Sequence, residues 1–247
     1  MIKYFTNTYP ILNLYRKPSS KSEIVTQLIY GDSFTINNET NKWLKIKIKE
    51  DNYKGYLQKR NFSNYLEPTH KIINLKAKIY KSYKNKRKFN ELTFGSKLKI
   101  TNKKLHFFKF SKGWINAKDV KPIFYKEKNY FRKVNIFRNI KYKWGGKSYK
   151  GIDCSGLVQI CLNFNNIYCP RDAKDQSKYF KKKINLKKIK KNDILFWKGH
   201  VAIAVSSKKL IHAYGPMKKT VIMDIAKTLK LIKDTANLNL QCIKRIK

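Results

Sequence analysis

The run Gly151-Ile-Asp-Cys-Ser-Gly-Leu-Val-Gln-Ile-Cys161 constrains this chain more than any other stretch. Gly151 permits an unusual backbone turn, and Asp153 is a good helix N-cap. Leu157, Ile160, Cys161 and Phe164 then recur at helical spacing, which predicts a half-buried helix with Cys154 in its first turn. A thiol there meets unpaired N–H groups and the positive end of the helix dipole, so it is biased toward the thiolate that attacks carbonyls. The common role of a cysteine is that of a small buried hydrophobe, but Asp153 and Ser155 are poor neighbours for a core position.

A thiolate nucleophile needs a base, and the base needs a group to orient it. The chain has four histidines, and two of them fall in the right region. His200 opens the apolar run His200-Val-Ala-Ile-Ala-Val205, and His212 lies in Leu210-Ile-His-Ala-Tyr214 beyond a short polar turn. The two runs read as an antiparallel hairpin. Side chains alternate along a strand, so the imidazoles share a face only when the loop holds an odd number of residues. Closing Val205 onto Lys209, or Ala204 onto Leu210, meets that condition and sets His200 opposite Tyr214 and His212 opposite Ala202. A two-residue turn at Ser207-Lys208 would send the rings to opposite faces.

The order Tyr142-x-Trp144-Gly-Gly, Asp153-Cys-Ser-Gly-Leu, Pro170-Arg-Asp, Asn192-Asp193, Gly199-His-Val and His212 resembles the NlpC/P60 family of cysteine peptidases, over about residues 126–225. The resemblance implies an α+β, papain-like domain in which a helix bearing the cysteine lies on an antiparallel sheet. It makes Cys154 the nucleophile, His200 the base and His212 the orienting residue, with the Cys154 N–H as oxyanion donor. Tyr142 and Trp144 would line the cleft, and Arg171 and Asp172 would belong to its substrate side. No metal or cofactor is required by this chemistry. One departure concerns a turn only: Asn192-Asp193 stands where the family has Gly-Asp.

Ahead of this region, residues 1–65 read as short strands separated by Gly31-Asp32, Asn37-Asn38 and Asp51-Asn52, the pattern of a small barrel. In the run from Trp43 to Ile48, alternation puts Leu44, Ile46 and Ile48 on one face and lysines on the other. The pattern recurs: Tyr30-Gly-Asp-Ser-Phe-Thr-Ile36 is echoed by Phe94-Gly-Ser-Lys-Leu-Lys-Ile100, and Gly55-Tyr-Leu by Gly113-Trp-Ile. Each copy resembles a bacterial SH3-like (SH3b) domain, giving domains at 1–66, 67–124 and 125–247, with the basic segment 81–88 as a loop. A helix is expected over 127–140, a solvated lysine-rich connector over 181–191, a helix capped by Asp224, and a last strand over 238–243.

Two SH3b domains ahead of an NlpC/P60 domain resemble the endopeptidases that cut γ-D-glutamyl–diamino acid bonds in murein peptides. In that subgroup the first barrel closes one end of the cleft and admits only peptides with a free N-terminal L-Ala. The resemblance carries this role to Tyr53, in Asp51-Asn-Tyr-Lys-Gly-Tyr-Leu57. Asp153, alongside Ser155, would receive the substrate ammonium, with Asp32 as a first-barrel acid. Two other classes stay open: a non-catalytic wall-binding or nucleic-acid-binding protein, and an amidase or acyltransferase on the same fold.

Composition enters through charge: 57 Lys+Arg against 15 Asp+Glu gives +42. Such a balance attracts anionic polymers without specificity, but no nucleic-acid motif accompanies it, and the lysines are spread evenly as solvated surface. No run approaches the ~20 apolar residues of a membrane helix, and the first residues lack an apolar signal core. The four cysteines have no metal spacing and fit free thiols in a reducing compartment. The expectation is a monomeric cytoplasmic protein.

Overall fold

The computed structural model describes residues 2–84 and 87–246. They fall into two compact units: residues 1–126 with 147–149, and residues 127–146 with 150–247.

The first unit is built from two like barrels. In the first, the strands Ile24–Ile29, Ile11–Tyr15, Lys54–Gln58, Trp43–Ile48 and Ser33–Glu39 lie side by side in that order. In the second, Lys88–Thr93, Lys76–Tyr80, Gly113–Asn116, Phe107–Phe110 and Asn102–Lys104 repeat the same order. Each barrel is completed by a short strand, Phe5–Thr6 or His70–Ile72, inserted between two others. The repeat of topology beneath the repeat of motif is the mark of a duplicated unit. In the second copy the counterpart of Ser33–Glu39 is broken into Lys97–Leu98 and Asn102–Lys104, which is why its sequence reads as looser.

Alternation sets each barrel's inside. Leu44, Ile46 and Ile48 are buried and meet Leu14, Leu28, Phe34 and Leu57 in the first core. Ile79, Leu92, Leu98, Phe110 and Ile115 form the second. Asn37 and Asn38, expected to end a strand, instead lie inside Ser33–Glu39, where the register shifts between Ile36 and Asn38. A bulge accepts asparagines that a regular ladder disfavours. The basic segment 81–88 links Lys76–Tyr80 to Lys88–Thr93 as expected of a loop, although residues 85 and 86 lie outside the described residues.

The first unit also contains a buried ion cluster. Asp32 pairs with Lys147 (Oδ2–Nζ 3.1 Å) and Lys97 (3.3 Å), and Lys97 also binds Glu50. The buried Gln27 Oε1 accepts from the Lys147 N–H (2.9 Å) and the Ser148 hydroxyl (3.1 Å).

The second unit is one antiparallel sheet with helices. Its strands are β1 (Lys182–Ile184), β2 (Ile194–Trp197), β3 (His200–Ala204), β4 (Lys209–Tyr214), β5 (Lys219–Asp224) and β6 (Cys242–Arg245), in the spatial order β1-β6-β2-β3-β4-β5. The helices are α1 (Cys154–Phe164), α2 (Ala173–Tyr179) and α3 (Ile225–Ala236). Leu195, Trp197, Ala202, Ala204 and Leu210 pack with Ile225 and Ile232 of α3.

Four expectations are corrected here. The helix foreseen over 127–140 is only a 3₁₀ turn, Val134–Phe137. Its two buried residues, Val134 and Phe137, stand three apart, one turn of a 3₁₀ helix. The lysine connector over 181–191 carries β1, paired with β6, and lysines on an edge strand keep it from pairing with another chain. The last strand begins later than foreseen, at Cys242. Asp224 stands at the N-cap position of α3, but its side chain makes no cap hydrogen bond.

Candidate active site

Helix α1 begins as its sequence requires. Asp153 is its N-cap, in extended conformation, and accepts from the Gly156 N–H at 2.7 Å. Gly151 reaches this point with φ +152°, and a side chain there would meet the Lys143 Cβ at 2.5 Å. At Gly156 an added Cβ would lie 2.4 Å from the Gly146 carbonyl oxygen, so the absence of a side chain lets helix and loop touch. The helix is buried on nearly every side, Asn163 being the half-exposed exception, where a half-buried helix was foreseen.

That burial decides the state of the nucleophile candidate. Desolvation pushes the Cys154 thiol up to about 12, with the Asp153 charge adding to it; backbone hydrogen bonds with Val201 and Ser155 and the charge of Arg171 act the other way. The expected bias toward thiolate is therefore overturned in the resting protein: a dry site costs the anion more than a helix N-terminus returns. Burial also takes His200 down to about 3, with His212 contributing, and His212 down to about 4. The resting pair is thus thiol and neutral imidazole, and a proton moves to His200 only as the sulfur attacks.

The hairpin has the register that brings the rings together. Ile203 pairs with Ile211 and Ala204 with Leu210, while the Val205 N–H donates to the Lys209 carbonyl at 2.9 Å. His200 Nε2 lies 2.9 Å from His212 Nδ1. For His200 to take a thiol proton its Nδ1 must keep a lone pair, so its own proton sits on Nε2 and is donated to His212. His212 then carries its proton on Nε2, which is buried without a hydrogen-bond partner among the described residues. Its ring stacks on Tyr214, with centroids 4.9 Å apart and planes 8° from parallel. Strand β3 packs against α1, and the Val201 backbone reaches the Cys154 sulfur.

The remaining candidates divide sharply. Tyr142 is half-buried, its hydroxyl held protonated first by burial and further by the Asp153 charge. Trp144 is 58 % exposed. Asp172 holds the N-cap position of α2. Asp153 and Ser155, foreseen as receivers of the substrate ammonium, and Arg171, foreseen on the substrate side, bind one another instead. Arg171 donates to both Asp153 oxygens (3.0 and 2.6 Å) and to the Ser155 hydroxyl (2.8 Å), and Gly145 N–H donates to Asp153 Oδ2 (2.8 Å). All three are buried, and those acceptors are taken. Asp32 is corrected likewise: burial alone would raise its carboxyl, but Lys147 and Lys97 outweigh that and hold it low, as ion-pair partners. Tyr53 packs against the core of the first barrel.

The sequence reading missed Gln176, whose Nε2 donates to the carbonyls of Ser155 (3.0 Å) and Pro170 (2.9 Å). A glutamine in a polar run gives no signal of such a role. Asn192 takes φ +76°, the left-handed conformation that explains glycine at this turn in the family and that asparagine tolerates. Among the described residues no cluster of three His, Cys, Asp or Glu side chains is placed to hold a metal ion.

Residues 139–232 match the NlpC/P60 family, with helix α1, strands β1 to β5 and the histidine hairpin inside that span and only β6 of the sheet beyond it. The second unit carries an NlpC/P60 domain. Residues 14–61 match the bacterial dipeptidyl-peptidase Sh3 domain, within the first barrel. Relatives match over most of the chain. Dipeptidyl-peptidase 6 of Lysinibacillus sphaericus is 27 % identical over 232 residues, spanning 81 % of this chain and 84 % of that protein. The γ-D-glutamyl-L-lysine dipeptidyl-peptidase of Bacillus subtilis (strain 168) is 25 % identical over 230 residues, spanning 83 % and 77 %. The crystal structure of an NlpC/P60 family protein from Bacillus cereus ATCC 10987 shares the fold, with TM-score 0.81 at 16 % identity, over 98 % of this chain and 99 % of that one. No helix among the described residues is long and apolar enough to cross a membrane.

Proposed function

We propose that this chain is a cysteine peptidase that hydrolyses γ-D-glutamyl–diamino acid bonds in murein peptides bearing a free N-terminal L-Ala. The observation that carries the proposal is a buried thiol at the start of α1, facing a strand whose histidine is bonded at 2.9 Å to a second histidine. The NlpC/P60 and Sh3 matches, and relatives named for releasing dipeptides from γ-D-glutamyl-L-lysine peptides, supply the substrate class.

Cys154 Sγ attacks the γ-carbonyl of D-Glu while His200 takes the thiol proton. The oxyanion that forms meets the Cys154 N–H in the first turn of α1, where N–H groups have no intrahelical partner; one such donor contributes about 3 kcal/mol. His200 returns its proton to the leaving amine as the C–N bond breaks. Water, deprotonated by His200, then cleaves the thioester and regenerates the thiol. His212 keeps His200 in the tautomer that permits each transfer.

Incubation with L-Ala-γ-D-Glu-diaminopimelate should yield L-Ala-D-Glu and the free diamino acid, read by mass spectrometry. Cys154→Ala should yield neither while keeping the fold, and Cys161→Ala should retain activity. Loss of activity in a folded Cys161→Ala protein would move the nucleophile elsewhere. N-acetylation of the L-Ala should cost a factor of up to ~10⁴, because it removes the free amine and adds bulk at the end of the cleft that the resemblance describes as closed. The resemblance gives this discrimination to Tyr53, so Tyr53→Ala should narrow it; equal rates on both peptides in the unaltered protein would remove the free-amine requirement.

A further inference from the structure

The two residues that flank Cys154 are tied to one side chain. Asp153 Oδ1 accepts from Gly156 N–H (2.7 Å), Arg171 (3.0 Å) and the Ser155 hydroxyl (3.3 Å), and Oδ2 from Gly145 N–H (2.8 Å) and Arg171 (2.6 Å). Arg171 spans both oxygens and also donates to Ser155 Oγ at 2.8 Å. Its side chain is 1 % exposed and that of Asp153 7 %, so neither offers its charge to a ligand from solvent. Gln176 fastens the same segment from the other side, through the carbonyls of Ser155 and Pro170.

We propose that Arg171 is a positioning residue: its ligand is the Asp153–Ser155 pair around the nucleophile, which it neutralises and locks, and not the substrate. The inference rests on Cys154 as nucleophile, the reading given above, but not on any particular substrate. Two physical consequences follow. The fork of the guanidinium fixes a planar carboxylate at both oxygens, which an ammonium cannot do. Its charge also offsets the Asp153 carboxylate beside the sulfur; without it a buried anion would stand next to the atom that must become an anion. The other titratable groups in this part of the site include His200, His212, Tyr142 and Tyr214, whose ring stacks on His212; burial holds His200, His212 and Tyr142 neutral at neutral pH.

The test follows the rate of iodoacetamide alkylation at Cys154, by peptide mass spectrometry, from about pH 6 to 11. It compares the unaltered protein, Arg171→Lys, Arg171→Met and the double variant Asp153→Asn/Arg171→Met. Alkylation needs no peptide substrate, so a wrong substrate class leaves the result standing, whereas failure of Cys154 to react in the unaltered protein would strike the nucleophile assignment itself. Arg171→Met should slow alkylation at pH 8 about ten-fold or more and move the profile to higher pH, one pKa unit being a factor of ten. The double variant should recover most of that loss, since asparagine still caps the helix and no charge is left unpaired. Arg171→Lys should fall between. An unchanged profile in a folded Arg171→Met protein would overturn the proposal, as would a double variant no better than the single one. If Arg171→Met does not fold, the lysine and double variants decide: a lysine profile matching that of the unaltered protein, or a double variant with a profile shifted by a full unit, overturns it.

Discussion

His200 and His212 are held neutral by burial, at about 3 and about 4 against an ordinary 6.5, and the fold depends on pH through them. Below about 6.5 the unfolded chain takes up protons that the folded chain refuses. The stability tied to these rings is therefore complete above that value and is lost as the pH falls toward 4 and 3. At about pH 5 each ring withholds roughly 2 kcal/mol. Urea melts at pH 7 and 5 should show a drop of that order per imidazole, and His212→Gln should remove about half of the pH dependence. A His212→Gln protein with the full dependence would mean that the rings are not both buried and neutral. The same burial explains why a residue-level reading of Cys154 succeeded on placement and failed on ionisation. Position at a helix start is written in the sequence, but the dryness of the site comes from residues far away in the chain.

At the scale of elements, α1 depends on how closely its first turn approaches the Gly145-Gly146 loop. Gly156→Ala sets a Cβ 2.4 Å from the Gly146 carbonyl and 2.9 Å from Asp153 Oδ1, with backbone on one side that cannot step aside. Overpacking of this kind should cost about 1–3 kcal/mol, read from the urea midpoint, and should slow Cys154 alkylation as well. Gly199→Ala, at φ +74° with nothing within 4 Å, should lose only the ~1 kcal/mol of a left-handed residue and leave alkylation unchanged. Equal losses would mean that loop contact is not what Gly156 provides. Elements with a strong local signal were legible: the N-cap at Asp153, the alternation in Trp43–Ile48, and the hairpin, whose register follows from parity once the two histidines are required to share a face. Elements decided by distant partners were not. The lysines of β1 look solvated and still form an edge strand, because β6 returns from the chain's end to pair with them. Asp153 and Arg171 were each recognisable as site residues, but nothing in their spacing shows that they bind one another.

At the scale of the whole molecule, the excess of +42 makes every acid conspicuous, and Asp32, Asp153 and Asp193 are all buried against basic partners. Asp193 meets Arg245, joining the start of β2 to the chain's end. The surface left behind is more uniformly cationic than the composition implies. The Asp32 cluster bears on the order in which the molecule is made. Its first unit is not a continuous stretch of chain, because Lys147 and Ser148 supply donors to Asp32 and to Gln27. A nascent chain that has emerged only to residue 126 lacks both donors that satisfy Gln27 Oε1 in the full chain, hydrogen bonds whose loss costs on the order of 1–3 kcal/mol. Ribosome-arrested chains exposing residues 1–126 should accordingly be cleaved by protease faster than chains exposing 1–149, and equal resistance would mean that the barrels close without the later segment. On this expectation the first unit is completed only when residues 147–149, well over a hundred positions after Gln27, have left the ribosome.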